Sequence, residues 1–265
     1  MTVNDWLLYA TKELAGTGTP RLDALVLLGD TLNKNSAQLL AEPDRILSKG
    51  QQQRLNRLFE RRKQHEPLAY IRGKCEFYGR EINVSKAVLV PRPETEPMID
   101  LLKSLPQTAQ RAVVDVGTGS GAIAVTVACE LNDVQVLATD IDPACLTIAR
   151  SNARKYRVNI KFFEASLVVN VSLPNGATIV ANLPYVPDEY TINQAALQEP
   201  SQAIFGGQDG LDLYRHLFEQ LKVKKHRGYV LTEAMPFQHE DLEIIANKHY
   251  YKLEARDDFI QVFKN

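Results

Sequence analysis

Long apolar runs, paired cysteines and a charge excess of either sign are all missing from this sequence. The longest apolar stretches, such as Ala122–Cys129, fall well short of the roughly 18 residues that a membrane-spanning helix needs. The 3 cysteines are too few and too widely spaced for a disulfide framework or a zinc site, which is typical of proteins from a reducing compartment. The N-terminal residues include Asp5 and Glu13 and lack the basic start of a signal peptide. We therefore expect a cytoplasmic protein without a membrane anchor or a bound metal.

The net charge is small in total but unevenly distributed. A formal charge of −1 argues against a protein that binds nucleic acid by bulk electrostatics. Residues 1–75 carry 12 basic and 8 acidic residues, whereas residues 76–265 carry 19 basic and 24 acidic residues. A chain of 265 residues, 45% hydrophobic and 24% charged, suits a globular protein of one large domain or two modest ones, and the uneven charge favours two. The sequence thus predicts a basic and an acidic domain, and no stable nucleic-acid partner.

Apolar periodicity predicts three successive regions. Residues 1–75 show helical spacing, most clearly in Gln51–Gln64, and predict a small helical bundle. Residues 76–92 predict a β-hairpin linker whose two strands flank a turn at Ser85-Lys86. Residues 93–265 alternate strands with helices, which predicts an α/β domain with a parallel sheet, closed by an antiparallel hairpin that turns at Ala255–Asp258. The expected parallel strands are Ala112–Val116, Val134–Thr139, Ile160–Glu164, Thr178–Ala181 and Tyr229–Thr232.

A glycine-rich loop follows the first of these strands and precedes a helix, a context that predicts a nucleotide-type binding loop. The spacing departs from the dinucleotide pattern, because Asp115 stands two residues before the first glycine and would repel a pyrophosphate. It would attract an amino group and a sulfonium, which favours S-adenosylmethionine over NAD. Asp140 ends the next strand, where an acid accepts ribose hydroxyls. The predicted cofactor-binding residues of this region are Asp115, Gly117, Thr118, Gly119, Gly121 and Asp140.

The strand Thr178–Ala181 ends in the loop Asn182-Leu183-Pro184-Tyr185, which is expected to face the transferred methyl group. An amide nitrogen is a poor nucleophile because its lone pair is delocalised. The site must therefore accept hydrogen bonds from its two N–H groups, so that the lone pair points at the methyl group. The side-chain carbonyl of Asn182 and the backbone carbonyl of Leu183 are the two acceptors. Pro184 favours an extended Leu183, and Tyr185 offers a flat face for stacking. We predict that Asn182, Pro184 and Tyr185 are catalytic and that Asn182 also contacts the cofactor.

These motifs resemble the HemK/PrmC family of protein-glutamine methyltransferases, which modify the Gly-Gly-Gln loop of peptide chain release factors. The resemblance extends over nearly the whole chain and is most specific at Val88–Glu96, with further matches at Glu66–Gly73 and Glu199-Pro200. It implies a helical substrate-recognition domain (1–75), a hairpin linker (76–92) and a class I S-adenosylmethionine-dependent methyltransferase domain (93–265) with a Rossmann-like, seven-stranded sheet. It also implies class I release factors as partners. Nothing in the sequence demands a dimer, so we expect a monomer.

Two positions depart from the family pattern and keep other hypotheses open. The family loop is usually Asn-Pro-Pro-Tyr, and Leu183 replaces its first proline, which retains the carbonyl acceptor in a less rigid loop. Ser166 stands where the family commonly has an acid that accepts from the adenine amino group, and we expect serine to do so more weakly. Asn-Leu-Pro-Tyr also occurs in ribosomal RNA adenine dimethyltransferases, so an adenine-N6 methyltransferase acting on RNA or DNA is the alternative. A binding module that has lost its cofactor is the third hypothesis.

Two charged segments have more than one interpretation. Arg92, Glu94 and Glu96 either form an ion-pair network between linker and catalytic domain or shape the methyl-transfer pocket. The segment 54–74, with 7 basic and 2 acidic residues, is either a solvated face or a docking surface for an acidic partner. It contains few aromatic residues, so stacking on RNA is not indicated. The predicted substrate-binding residues are Arg92, Asn182, Leu183, Pro184 and Tyr185.

Overall fold

The structure, a computed structural model, describes all residues from 1 to 265 and divides them into two compact units. The first unit comprises Met1–Gly73 together with the short segment Ile192–Gln198. The second comprises Lys74–Thr191 and Glu199–Asn265. No helix combines the length and the apolar character that crossing a bilayer requires.

The first unit is a bundle of helices, as its periodicity predicts. Thr2, Asn35 and Ser48 cap three of the helices with side-chain oxygens, which satisfies backbone N–H groups of the first turn. Trp6 and Phe59 meet edge to face at 6.4 Å between ring centroids, in a core of leucine, valine and alanine side chains. The helices are α1 (Val3–Glu13), α2 (Pro20–Leu32), α3 (Ser36–Leu40), α4 (Lys49–Lys63) and α5 (Leu68–Arg72).

Most basic side chains of the segment 54–74 are paired with acids of this chain. Ion pairs of 2.5–2.8 Å engage five of the seven, which leaves less positive charge for an outside partner. This pairing favours the interpretation as a solvated face, and the docking surface stays a prediction. The pairs are Arg61–Glu66, Arg62–Asp23, Lys63–Glu13, Arg72–Asp30 and Lys74–Glu81.

The linker hairpin lies earlier in the chain than its sequence predicts. Its strands are β1 (Lys74–Phe77) and β2 (Arg80–Asn83), which pair antiparallel around a turn at Tyr78-Gly79. Both turn residues have positive φ, 50° and 68°, as a tight two-residue hairpin turn requires. The chain does turn at Ser85-Lys86, where the N–H of Val88 donates to the carbonyl of Ser85 at 3.1 Å. The sequence analysis places the second strand of the hairpin after this turn, at residues 87–90, and that was wrong, because residues 84–92 contain no strand.

A seven-stranded sheet forms the centre of the second unit. Its order is β5-β4-β3-β6-β7-β9-β8, with β3 to β7 parallel and β9 antiparallel to both neighbours. All residues of β3 are buried, so both faces of the central strand are covered. The strands are β3 (Ala112–Val116), β4 (Gln135–Asp140), β5 (Ile160–Glu164), β6 (Thr178–Ala181), β7 (Tyr229–Glu233), β8 (Lys252–Asp257) and β9 (Ile260–Lys264). The helices are α6 (Pro97–Ser104), α7 (Gln107–Gln110), α8 (Ala122–Glu130), α9 (Pro143–Tyr156), α10 (Asp212–Val223) and α11 (His239–Lys248).

The parallel strands confirm the α/β prediction, and the final hairpin corrects one detail. β8 continues to Asp257 and β9 begins at Ile260, so the chain turns at Asp258-Phe259 and not across Ala255–Asp258. Asp258 has a φ of 41°, the left-handed conformation that aspartate tolerates in turns. The alternation of half-exposed side chains in Lys252–Asp257 is that of an edge strand.

Candidate functional site

The strand order reverses beside β3, and this reversal places a cleft at the carboxyl ends of β3 and β6. Ligands of open α/β sheets bind at such a point. Val116 pairs with Ala181 there, so Gly117 and Asn182, which follow them, lie side by side. The residues that line the cleft include Arg92, Thr95, Gly117, Thr118, Gly119 and Asn182.

The glycine loop owes its shape to close contacts with the two loops beside it. The N–H groups of Gly117 and Thr118 both donate to the carbonyl of Thr139, at 2.9 and 2.8 Å. Gly117 has a φ of 73°, and a Cβ at this position would lie 2.8 Å from Cδ2 of Leu183. Leu183 is buried, so it has little room to move away. Only glycine therefore lets the loop adopt this conformation against the Leu183 side chain.

Gly117→Ala is expected to lower the free energy of unfolding by about 2–4 kcal/mol, the sum of left-handed strain and overpacking against Leu183. Gly176→Ala is the matched control, because Gly176 has a φ of 68° and open space where the Cβ would stand. The control is expected to cost about 1–2 kcal/mol. Urea unfolding of both variants measures the difference, and equal losses would contradict the contact with Leu183.

The packing of α8 against α9 explains why residue 121 is a glycine. It begins α8 with a φ of 79°, and a Cβ there would lie 2.9 Å from the Cβ of Ala149 in α9. Glycine thus permits the two helices to pack closely, and a contact between Gly121 and a cofactor stays a prediction.

Two buried acids hold the glycine loop from either side. Asp115 Oδ2 accepts from the hydroxyl of Thr118 at 2.6 Å and from the N–H of Ala124 at 3.1 Å, while its Oδ1 is buried without a partner. Burial, with a smaller contribution from the charge of Asp140, raises the pKa of Asp115 to about 7. Asp140 accepts from the N–H of Gly119 at 2.8 Å and from the N–H of Asp142 at 2.9 Å, and burial raises its pKa as well.

Asp115→Asn is expected to gain stability relative to the wild type as the pH rises. The folded carboxyl binds its proton more tightly than the unfolded one, with a pKa of about 7 against 3.8. The contribution of Asp115 protonation to the stability of the folded state is therefore fully present below pH 3.8 and is lost as the pH rises to about 7. The asparagine does not titrate, so the difference in unfolding free energy should grow by about 2–3 kcal/mol between about pH 5 and about pH 8. Urea midpoints at both pH values test this, and a constant difference would contradict it.

Two buried residues that the sequence analysis missed, Tyr214 and Glu233, accept hydrogen bonds from the loop after β6. The hydroxyl of Tyr185 donates to Oε1 of Glu233 at 3.0 Å, and the N–H of Leu183 donates to the phenol oxygen of Tyr214 at 3.3 Å. Both acceptors are fully buried, and burial together with Glu233 raises the pKa of Tyr185. Glu233 ends β7, so the rule that singled out Asp140 at the end of β4 applies to it equally.

Arg92 lines the cleft and also forms an ion pair. Its guanidinium contacts Oε1 of Glu199 at 2.5 Å, and Oε2 of Glu199 accepts from the N–H of Val90 at 2.9 Å. The partner is thus Glu199 and not the neighbouring Glu94 or Glu96, so the predicted network of these three residues does not form, and a role of Arg92 in the methyl-transfer pocket stays a prediction.

Ser166 does not join the other predicted residues. It is exposed in the bend after β5 and, like Asp115, Gly121, Asp140 and the residues 183–185, is not among the residues that line the cleft. Its carbonyl accepts from the N–H of Val169 at 3.1 Å. A contact between its hydroxyl and an adenine therefore stays a prediction.

Comparison with solved structures shows that this chain shares its fold with methyltransferases. The structure of a methyltransferase from Pyrococcus furiosus aligns with a TM-score of 0.51 at 17% identity, over 71% of this chain and 90% of that one. The hMettl16 catalytic domain, in complex with MAT2A 3′UTR hairpin 1, aligns with a TM-score of 0.54 at 15% identity, over 85% and 83%. At these identities the likeness concerns the fold alone.

Sequence comparison is more specific. Residues 5–73 match the PrmC N-terminal domain, and residues 99–203 match the methyltransferase small domain. The release factor glutamine methyltransferase of Koribacter versatilis is 40% identical, over 83% of this chain and 81% of the relative. The corresponding enzyme of Deinococcus radiodurans is 36% identical, over 97% of this chain and 95% of the relative. With the glycine loop and Asn182 joined in one cleft, and with relatives of this identity matched over most of both chains, the protein belongs to the release factor glutamine methyltransferase family.

Proposed function

We propose that this methyltransferase transfers a methyl group from S-adenosylmethionine to the side-chain amide nitrogen of the glutamine in the Gly-Gly-Gln loop of a class I release factor. The observation that carries the proposal is the placement of Asn182 beside the glycine loop. The Nδ2 group of Asn182 donates to the hydroxyl of Thr95 at 2.9 Å, so its Oδ1 remains to accept an N–H from a substrate amide.

The residues around the glycine loop fit S-adenosylmethionine. Oδ1 of Asp115 is a buried acceptor without a partner, and it suits the amino group or sulfonium of a cationic ligand. The space beside Gly119 is open, since a Cβ there would meet nothing within 4 Å. Each carboxylate oxygen of Asp140 accepts one backbone N–H and has a lone pair left for a ribose hydroxyl. When bound, the cofactor would supply an electrophilic methyl group on sulfur.

The residues of the Asn182 loop would position the nucleophile. Asn182 Oδ1 and the carbonyl of Leu183 accept the two N–H groups of the glutamine amide, so that the nitrogen lone pair faces the methyl group. The bound cofactor would supply the methyl group, the sulfur would keep the electrons of the C–S bond, and the methylated nitrogen would release its proton to water. Positioning in line is the main contribution to the rate. In this proposal Tyr185 and Pro184 shape the site, Arg92 lines it, and residues 1–75 recognise the release factor.

The test uses purified protein, radiolabelled S-adenosylmethionine, and either a release factor or bulk RNA. We expect label in the release factor only, and none in a release factor whose target glutamine is replaced by alanine. Label in RNA alone would support the adenine-N6 alternative and would refute the proposal. Absence of both label and calorimetric cofactor binding would favour the binding-module hypothesis. We further predict a cytoplasmic monomer without a stable nucleic-acid partner.

A further inference from the structure

The buried carboxylate of Glu233 lies at the end of a hydrogen-bonded chain that starts at Asn182. Its Oε1 accepts from Tyr185, and its Oε2 is buried without an assigned partner. Thr95 is also buried, with an exposed fraction of 3%. Ala181 pairs with Thr232 in the parallel ladder, so Asn182 and Glu233 lie side by side where β6 and β7 end. Burial raises the pKa of Glu233 to about 7, and hydrogen bonding to the side chains of Thr95, Tyr185 and Asn182 lowers it in part.

The hydroxyl of Thr95 connects the two ends of this chain. A hydroxyl has one hydrogen to donate and two lone pairs to accept. The Thr95 oxygen already accepts from Nδ2 of Asn182 at 2.9 Å, so its own hydrogen needs an acceptor in a buried place. Oε2 of Glu233 is the buried acceptor that lacks a donor.

We propose that Glu233 and Thr95 are positioning residues that determine which way the side-chain amide of Asn182 points. An asparagine amide is nearly symmetric in shape, and its orientation depends on its hydrogen-bond partners. In its ionised form Glu233 only accepts, so the chain then runs from the Asn182 amide through the Thr95 hydroxyl to Glu233. The opposite orientation would direct the donor of Thr95 toward Asn182 and leave its lone pairs facing the carboxylate.

This inference rests on the proposed function, because it fixes Asn182 Oδ1 as the acceptor for the substrate amide. The same carboxylate also receives the hydroxyl of Tyr185, so one buried acid orients two of the residues proposed to bind the glutamine. The inference also gives Thr95 a role, which its position in the sequence does not indicate. Thr95 stands in the short 3-10 turn Pro93–Thr95, where its N–H donates to the carbonyl of Arg92 at 3.1 Å.

The first test compares Thr95→Val, which removes the hydroxyl at constant shape, with Thr95→Ser, which retains it. We expect Thr95→Val to lower kcat about 10–100-fold, with cofactor affinity unchanged by calorimetry, and Thr95→Ser to recover most of the loss. Thr126→Val is the matched control, because Thr126 is a buried threonine of α8 whose hydroxyl has no partner. Its kcat is expected to remain that of the wild type.

The second test, Glu233→Gln, places an amide donor opposite the Thr95 hydroxyl. Thr95 then donates toward Asn182, which turns the amide and directs its N–H groups into the cleft. We expect a loss of kcat at least as large as for Thr95→Val. A wild-type kcat in Thr95→Val, or equal losses in Thr95→Val and Thr95→Ser, would overturn the proposal.

A third measurement does not depend on the substrate. The side-chain amide of Asn182 in ¹⁵N-labelled protein, assigned by its loss in Asn182→Asp, is expected to shift and to exchange faster in Thr95→Val than in Thr126→Val. An unchanged signal would overturn the proposal. If the wild-type protein labels no release factor, the proposed function fails, and this signal still decides whether Thr95 and Glu233 orient Asn182.

Discussion

Asn182→Ala is expected to lower the rate of methyl transfer to the release factor by about 10²–10³-fold, as removal of one preorganised polar contact to a reacting group does in other enzymes. The substitution removes the acceptor that aligns the substrate amide with the methyl group. The glycine loop and Asp140 remain, so the affinity for S-adenosylmethionine is expected to change less than about tenfold. Single-turnover transfer of radiolabel and calorimetric titration of the cofactor measure the two effects separately.

Asn132→Ala is the control for this experiment. Asn132 is exposed in the turn between α8 and β4, at the other end of the parallel strands from the cleft. The control is expected to transfer methyl groups at the wild-type rate. If Asn182→Ala retained more than about a tenth of the wild-type rate, the amide of Asn182 would contribute less than one ordinary hydrogen bond, and the proposed alignment would be wrong.

Asp23→Ala is expected to destabilise the N-terminal bundle by about 3–5 kcal/mol, because it leaves the charge of Arg62 buried and unpaired. Asp23 and Arg62 are 2% and 5% exposed, and their Oδ2 and Nε atoms are 2.7 Å apart. The carboxylate also accepts from the hydroxyls of Thr17 and Thr19, at 2.7 and 2.9 Å. These four polar groups satisfy one another, so the loss of Asp23 affects all of them.

Asp30→Ala provides the contrast. Asp30 pairs with Arg72 at the same distance of 2.7 Å, but both side chains are more than a quarter exposed. An exposed pair contributes about 0–1 kcal/mol, so this variant is expected to unfold nearly as the wild type does. Hydrogen exchange of the amides in α2 and α4 reports on the bundle separately from the second unit. Equal protection in the two variants would contradict the expectation that the buried pair Asp23–Arg62 contributes more to stability than the exposed pair Asp30–Arg72.

The fold was largely predictable because its elements depend on local patterns. Ala112–Val116 and Thr178–Ala181 have the predicted bounds, since buried parallel strands are short and mostly apolar. Ile160–Glu164 also has the predicted bounds, although it is a partly exposed edge strand. Both hairpin turns were misplaced. Neither turn has the Asn-Gly or Asp-Gly pair that marks a two-residue turn most strongly, and a single Gly79 or Asp258 does not determine where the turn begins.

The candidate site was predictable in its loops but not in the contacts between them. The strand and helix that flank Gly117, and the strand that precedes Asn182, show in the sequence which residues emerge at the carboxyl edge. Glu233 is at the end of a predicted strand as well, yet the sequence does not show that its carboxylate is buried beneath Tyr185. Nor does it show that the charge of Arg92 is taken up by Glu199.

Local sequence alone determined the glycine loop, the Asn182 loop and the alternation of strands and helices, because backbone conformation and apolar periodicity are properties of neighbouring residues. Only the tertiary structure decided the orientation of the Asn182 amide. Its donor group meets Thr95, 87 residues earlier in the chain, and Asn182 follows a strand that pairs with the strand ending in Glu233. An amide has no orientation of its own, so its direction depends on partners that only the folded sheet brings together.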